Sequence, residues 1–452
     1  MNLWENFALG FTYLSPVVGV YTLFATSLAT GGPPFFWSYL IVGIGKMMVC
    51  LVFCEVVSQY PITGGILPWG RRLVGERWGW MAGWIYLWAL CATLAAVAVG
   101  AAPYLAAMVG AAVPDPDMTG GTAIALVVLS TLLNVTGTKW LARIALFGFL
   151  AELAGGLVVG IYLLVFWRTQ PLGVLFDTFS IGSGSSYWPA FLAAGLAGIF
   201  QYYGFEACGD VAEEVPNPSQ RIPKAMRMTI YVGGAAAMFA CLALILALPD
   251  IAKVIAHEEK DPLGTVLTRA FGPFGAQVVF AVVMISFISC LISLQAAASR
   301  LLFSFGRDRM IFGHSMLGTV STAAKVPVAA LMVCAVLPTI IVVIGRLRED
   351  ALTVIISFAA IGIYIAFQMV VAGALMARAR GWVPSGPFRL GAWGVPVTIV
   401  ALCFGLAAIA NMAWPRGDAG VWYLDYAVAM SSLAVIALGM VYLAVRRLFS
   451  AQ

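Results

Sequence analysis

The chain has 452 residues, 62% hydrophobic and only 10% charged, where a soluble domain carries about 25% charged residues. That balance excludes a soluble globular protein and leaves an all-α integral membrane protein. The net charge of +5 does not point to nucleic acid, because the basic residues fall between apolar stretches and no basic run carries interleaved aromatics.

A spanning helix needs about 20 apolar residues. Twelve stretches qualify to within a few residues: 7–30, 35–59, 79–110, 121–136, 142–167, 187–212, 226–248, 274–304, 326–345, 351–377, 393–414 and 422–445. The first follows MNLWENF, which has no basic segment of the kind that opens a cleavable signal peptide. It reads FALGFTYLSPVVGVYTLFATSLATG, where Pro16 removes a helix hydrogen bond and Gly19 loosens the next turn. A plain proline kink is the structural alternative.

The second stretch carries Lys46 at its centre and Glu55 near its end. Nine residues apart at 100° per residue, they lie on opposite helix faces. Lys46 therefore needs another anion or a wet cavity, and Glu206 and Glu152 are the candidates; a structural ion pair would serve equally. SQYPITGGILPWGRRLVG follows as a tight re-entry. The third stretch is rich in aromatics: Trp80, Trp84, Tyr86 and Trp88. The fifth holds an isolated acid, Glu152.

The sixth stretch contains FQYYGFEACGDVAEEVPNP from Phe200 to Pro218. Gly204 and Gly209 interrupt it, and Glu206 and Asp210 stand where hydrocarbon is expected. An acid at such depth is costly unless it faces a cavity or a partner. Two interrupted helices in corresponding halves point to a transporter site. The 185 residues between Gly19 and Gly204 cover five spans, which fits two five-helix repeats, the second inverted, followed by two further helices. In the eighth stretch Ser286, Ser289 and Ser293 share a face at i, i+3 and i+7, with Gln295 beyond. Such hydroxyls more often bond to backbone or across helices than to a substrate. The tenth offers Ser357, Tyr364 and Gln368.

With the N-terminus inside, cytoplasmic loops hold 17 basic residues and outside loops seven, including Lys260, Arg346 and Arg348. This asymmetry predicts both termini in the cytoplasm and an inner-membrane location. The eight cysteines fall in apolar stretches without CxxC spacing, which suits small core residues. His257 and His314 lie far apart in polar loops. No P-loop, GxSxG or HExxH is present, so no cofactor, metal or catalytic residue is expected, and energy would come from a gradient or from exchange.

The pieces SPVVGVYTLF, CEVVSQYPITGGILPWGRRL, YYGFEACGDVAEEVPNPSQRIPKAM and SRLLFSFGRDRMIF, in that order, resemble an amino acid permease of the amino acid–polyamine–organocation superfamily, in its amino acid/choline transporter branch. The resemblance implies a LeuT-like fold of twelve transmembrane helices. Residues 1–168 would form the first repeat, 187–378 the inverted second repeat and 393–452 two extra helices. It implies a substrate carboxylate on the free amides of Val18 and Gly19, with carbonyls from Ser15 and Pro16. Phe200, Gln201, Tyr202, Tyr203, Gly204 and Ser289 complete the substrate site, with Tyr203 the stronger aromatic candidate. Glu206, Lys46, Glu152, Tyr86, Tyr364 and Asp210 are the gating or ion-coupling candidates. Glu206 is expected to face Tyr86 and Tyr364. Where many relatives carry GSG in helix one this chain has VVG, which also admits a substrate lacking an α-carboxylate, such as choline, ethanolamine or a polyamine. Where proton-coupled relatives carry a lysine in helix five, this chain has Glu152, a candidate proton carrier or sodium ligand. The expected function is a permease for an amino acid or related amine, coupled to protons or sodium or working by exchange. A membrane sensor on the same fold is the alternative from another class.

Overall fold

A computed structural model describes residues 1–109, 115–182, 186–259, 261–347, 349–416 and 422–450, the side chains of 349–356 and 447–450 apart. Lys260 and Arg348, and the side chain of Arg447, all used in the charge asymmetry, lie outside the described residues. The described chain is helical, with no strand. Among the described residues, eleven helical stretches are long and apolar enough to cross a membrane.

The first expected span is two helices, α1 (Leu3–Leu14) and α2 (Pro16–Gly31). Proline bars its predecessor from the α region, and itself fits the first helical position, where an N–H would be unpaired anyway. The break therefore falls on Ser15, at φ 38° and ψ 93°, and not on Gly19, which is helical inside α2. Next come α3 (Phe36–Gln59), the short α4 (Ile66–Leu73) in the expected re-entry, α5 (Glu76–Gly100), α6 (Ala102–Met108), α7 (Pro116–Val135) and α8 (Thr138–Phe166).

The stretch 187–212 is not one helix. It comprises α9 (Trp188–Ala194), α10 (Leu196–Gln201) and α11 (Ala207–Asp210), with non-helical backbone at Tyr202 and at Gly204, whose φ is 101°. Beyond it lie α12 (Pro218–Ala247), α13 (Ile251–Ile255) and α14 (Pro262–Arg307). α14 is two helical pieces joined at Gly272, which is non-helical at φ 69° and ψ 174°; the longer piece begins at Pro273, one residue before the expected start, and a shorter one precedes it from Pro262. Then follow α15 (His314–Leu317), α16 (Val328–Leu347), α17 (Glu349–Ala379), α18 (Gly394–Ala413), α19 (Trp422–Asp425) and α20 (Ala427–Ser450).

Packing sorts the helices. α12 lies along α3 and α1, and α10 lies against α2 and α3. α14 packs on α8, α5 and α7, and α17 on α5. The core runs through both groups and contains the first break, whereas Val158, Val165 and Phe166 on α8 and Leu433 and Val441 on α20 are exposed, as lipid-facing residues would be. The last turn of α3 is fastened hard. Glu55, buried, pairs with Arg378 of α17 and accepts from the Leu390 amide at 2.9 Å. Ser58 Oγ accepts from the Phe388 amide at 2.9 Å and donates to the Ser219 carbonyl at 3.0 Å.

Candidate functional site

The two interruptions meet in the core. A Cβ on Gly204 would stand 2.7 Å from the Leu14 nitrogen and 2.9 Å from the Tyr13 ring, so this close approach and the positive φ both require glycine. Gln201, the last residue of α10 and fully buried, spans the gap. Its Nε2 donates to the carbonyl of Leu14, at the end of α1, at 3.2 Å and to that of Ser15, which also accepts from the Gly19 amide, at 3.4 Å. Any side chain on Gly19 would collide with the Gln201 amide. Gly19 thus serves as space for Gln201, and not as a hinge.

On the amide side, Glu152 of α8 reaches in. Its Oε1 accepts from Ser15 Oγ and from the Val17 amide, both at 2.8 Å. A carboxylate at a helix N-terminus is favoured by the unpaired amides and the helix dipole, and here it also holds Ser15 in its strained conformation. The amides expected to be free are not: Val18 donates to Ser15 Oγ at 3.2 Å and Gly19 to the Ser15 carbonyl at 3.0 Å. Glu152 Oε2 and Gln201 Oε1 are buried without a partner. A cavity of about 20 Å³ lined by Pro16, Val17 and Glu152 adjoins the acid, room for about one water.

Tyr203 stands edge-on to Tyr13 at 5.8 Å and to Phe200 at 5.2 Å. Tyr202 turns away, its hydroxyl wedged where Cβ atoms of Gly43 and Gly234 would stand. Glu206 Oε1 accepts from Tyr86 Oη at 2.8 Å, and Oε2 from the Gly204 amide at 2.9 Å. The expected second tyrosine is elsewhere: Tyr364 Oη donates to the Ile199 carbonyl at 3.1 Å.

Lys46 has neither expected partner. It is fully buried, its Nζ makes no hydrogen bond, and it forms no ion pair among the described residues. Its ammonium sits 3.4 Å from the centre of the Tyr364 ring and 4.4 Å from that of Phe367. Cation–π attraction at a desolvated site is worth about 2 kcal/mol. Of the two candidate acids, Glu206 is held by Tyr86 and Gly204, and Glu152 by Ser15 and Val17.

The eighth-stretch serines diverge. Ser293 bonds Thr12 of α1 at 2.7 Å and Ser286 bonds back to the Val282 carbonyl. Ser289 packs where a side chain on Gly148 would stand, so it joins α14 to α8. Asp210 is buried with both carboxylate oxygens unpartnered, against Gly65 and within the field of Arg300. Beyond it three sequence motifs meet in ion pairs: Arg300 with Glu214 at 3.0 Å, Arg307 with Glu213 at 2.9 Å and Arg71 with Asp308 at 2.8 Å. Thr63 and Glu213 exchange two further bonds.

Sequence reasoning missed Tyr13, Phe367 and this ionic cluster. Tyr13 carried a usable signal, an aromatic two residues before the break, and Phe367 follows Tyr364 at i+3 on one face. Among the described residues no group of three or more metal-ligating side chains converges.

The family described as amino acid permease matches residues 1–441. Amino-acid permease BAT1 of Arabidopsis thaliana is 25% identical over 428 residues, covering 89% of this chain and 83% of its own. Amino-acid permease 2 of Neurospora crassa is 23% identical over 415 residues, 87% of this chain and 75% of its own. A Macrophomina phaseolina protein named for amino acid/polyamine transport is 21% identical over 403 residues, 86% of this chain and 89% of its own. With the match running through both breaks and the ionic cluster, the chain belongs to the amino acid permease family of the amino acid–polyamine–organocation superfamily, and is a transporter rather than an enzyme.

Proposed function

We propose that the protein is a secondary active transporter carrying an amino acid across the cytoplasmic membrane by alternating access, with both termini inside. The observation that carries this reading is the meeting of two interrupted helices at Ser15 and Gly204, bridged by Gln201. Half-helix ends offer carbonyls to a cation and amides to an anion. On this reading the pieces α9 to α11 together make the twelfth crossing. Residues 1–168 and 187–378 are inverted five-helix repeats of a LeuT-like fold, and 393–452 adds two helices. The substrate ammonium displaces Gln201 Nε2 from the Leu14 and Ser15 carbonyls, with Tyr203 and Phe200 beside it. Glu206, under Tyr86, changes protonation as the site opens inward; its neutral form accepts and donates within the gate, and its ionised form draws in water.

One observation favours a second substrate class. Glu152 already takes the Val17 amide and Ser15 hydroxyl, so an amine without an α-carboxylate leaves that pairing intact.

Uptake of radiolabelled amino acids and of their decarboxylated amines into proteoliposomes, under imposed proton or sodium gradients, tests both. Saturable uptake of an amino acid supports the first reading. Uptake confined to amines supports the second. Folded protein that moves neither overturns both. Asp117→Cys should label only from outside and Ser219→Cys only from inside.

A further inference from the structure

A crevice opens on the apolar surface where the end of α18 lies beside α9. Its larger part, about 820 Å³, is lined by Leu192, Ala407, Asn411 and Trp414, with Arg416 at its mouth. A second space of about 190 Å³ shares Leu192, Ala407 and Asn411 and carries the crevice on to Phe404 and Ile199. From Ala413, the last helical residue before Arg416, to Phe404 is nine residues, about 14 Å at 1.5 Å per residue. One leaflet of hydrocarbon is about 15 Å deep.

The crevice is apolar along its length and cationic at one end. Trp414 and Trp188, 70% and 66% exposed, flank that end, and exposed tryptophans mark the level of the headgroups. The guanidinium is aimed. Arg416 donates to Asn411 Oδ1, and Asn411 Nδ2 in turn donates to the Leu192 carbonyl at 3.0 Å. That pairing occupies one arm of the fork, and a guanidinium matches phosphate oxygens with its remaining donors. Deeper in, Ser38 lines the crevice with its Oγ buried and without a partner.

We propose that this crevice is a binding site for an anionic phospholipid, one acyl chain lying along α18 and the headgroup phosphate on Arg416. The charge complementarity selects a lipid over a second protein helix, since the one charged group is a cation at interface level and the rest of the lining is apolar apart from Asn411 and Ser38. The chain would rest on Leu192 and Ile199, residues of α9 and α10, and so would brace the half-helix that ends at Gln201.

The experiment is native mass spectrometry of the purified full chain, titrated in detergent with phosphatidylglycerol, phosphatidylcholine or glycerol phosphate. The wild type should hold phosphatidylglycerol at least fivefold more tightly than phosphatidylcholine and take up no glycerol phosphate. Arg416→Gln should bring the two lipids within twofold of each other while still binding both. Ala407→Trp, which fills the crevice, should lose both. Unfolding midpoints of the lipid-free variants within a few degrees of wild type show that folding is intact, and Leu192→Trp repeats the filling test from α9. Equal affinity for the two lipids in the wild type, an undiminished preference in Arg416→Gln, binding that survives both filling variants, or uptake of glycerol phosphate would each overturn the proposal.

Discussion

Where the two broken helices cross, buried polar groups meet only uncharged partners: Glu152 a hydroxyl and one amide, Gln201 two carbonyls, each leaving one oxygen bare. At the end of α14 the rule is different. Arg300, Arg307 and Arg71 each face a carboxylate, and the Thr63–Glu213 exchange ties the same loops again. Opposite charges paired across three segments hold those segments in register. On the proposed reading, a crossing whose acid, Glu152, meets only uncharged partners keeps the capacity to take a charged guest. The contrast separates a clasp from a seat, although both lie in one continuous core.

The sharpest way to break that contrast is at Gly204. Gly204→Ala places a methyl against the Leu14 nitrogen with φ at 101°, and should cost on the order of 3 kcal/mol or more. Gly156→Ala on α8, with nothing within 4 Å, should be neutral or stabilise by up to about 1 kcal/mol. Thermal unfolding in detergent compares them, and similar midpoints would remove the steric argument.

Next in size is Arg300→Met, which leaves Glu214 without its cation. Removing one partner of a buried pair costs about 3–5 kcal/mol. The double variant Arg300→Met, Glu214→Gln should recover part of this. If it recovers none, packing and not charge is what Arg300 supplies.

At the seat, Tyr203→Leu should weaken substrate binding about 2- to 30-fold, equivalent to about 0.5–2 kcal/mol of cation–π attraction. Tyr202→Leu, whose ring fills the space above Gly43 and Gly234, should leave affinity within twofold. Equal losses from both would detach the aromatic pair from the substrate. Glu206→Gln tests the gate. The glutamine still accepts from Tyr86 or Gly204 and resembles the protonated acid. Uptake by the wild type should therefore converge on that of the variant as pH falls, and the variant's own profile should be flat. A variant that keeps the wild-type profile moves the coupling to Glu152.

The smallest effect belongs to the half-exposed edge of the clasp. Arg71→Ala should cost less than about 1 kcal/mol, and the difference should fade in 1 M salt, where the screening length is about 3 Å.

Much of this was legible in the sequence. Apolar length located eleven of the helices, and Pro16 and Gly204 marked the two interruptions to within a residue or two. The first break, expected over Pro16–Gly19, falls on Ser15 instead, because proline acts on the residue before it and Gly19 stays helical. Gly272–Pro273 is a true helix boundary, as the sequence suggests, and what the hydropathy pattern leaves out is the short helical piece from Pro262 that precedes it. What could not be read were pairings across long sequence distances. Glu152 meets Ser15 from 137 positions away, and no local pattern encodes that. Lys46 was assigned an anion because charge arithmetic suggests one, yet two aromatic rings of α17 supply its surroundings. The serine face of the eighth stretch was real as a face, but its hydroxyls are spent on helix-to-helix and backbone bonds.

The fastening of α3 has a mechanical consequence. Within its last two turns Glu55 and Ser58 hold it to α17, to the segment before α18 and to the start of α12. At the opposite end, Ser38 and Tyr39 offer buried hydroxyls that grip nothing. Among the described residues the one side-chain bond there is from Trp37 Nε1 to the Leu175 carbonyl at 3.1 Å, so a rod pinned by an ion pair and several bonds at one tip and by a single bond at the other behaves as a lever. Its fulcrum is at Glu55, and any swing is greatest near Phe36. Tilting α3 by a few degrees would displace its far tip by a couple of ångströms over its roughly 36 Å length, while leaving the pinned turn almost still.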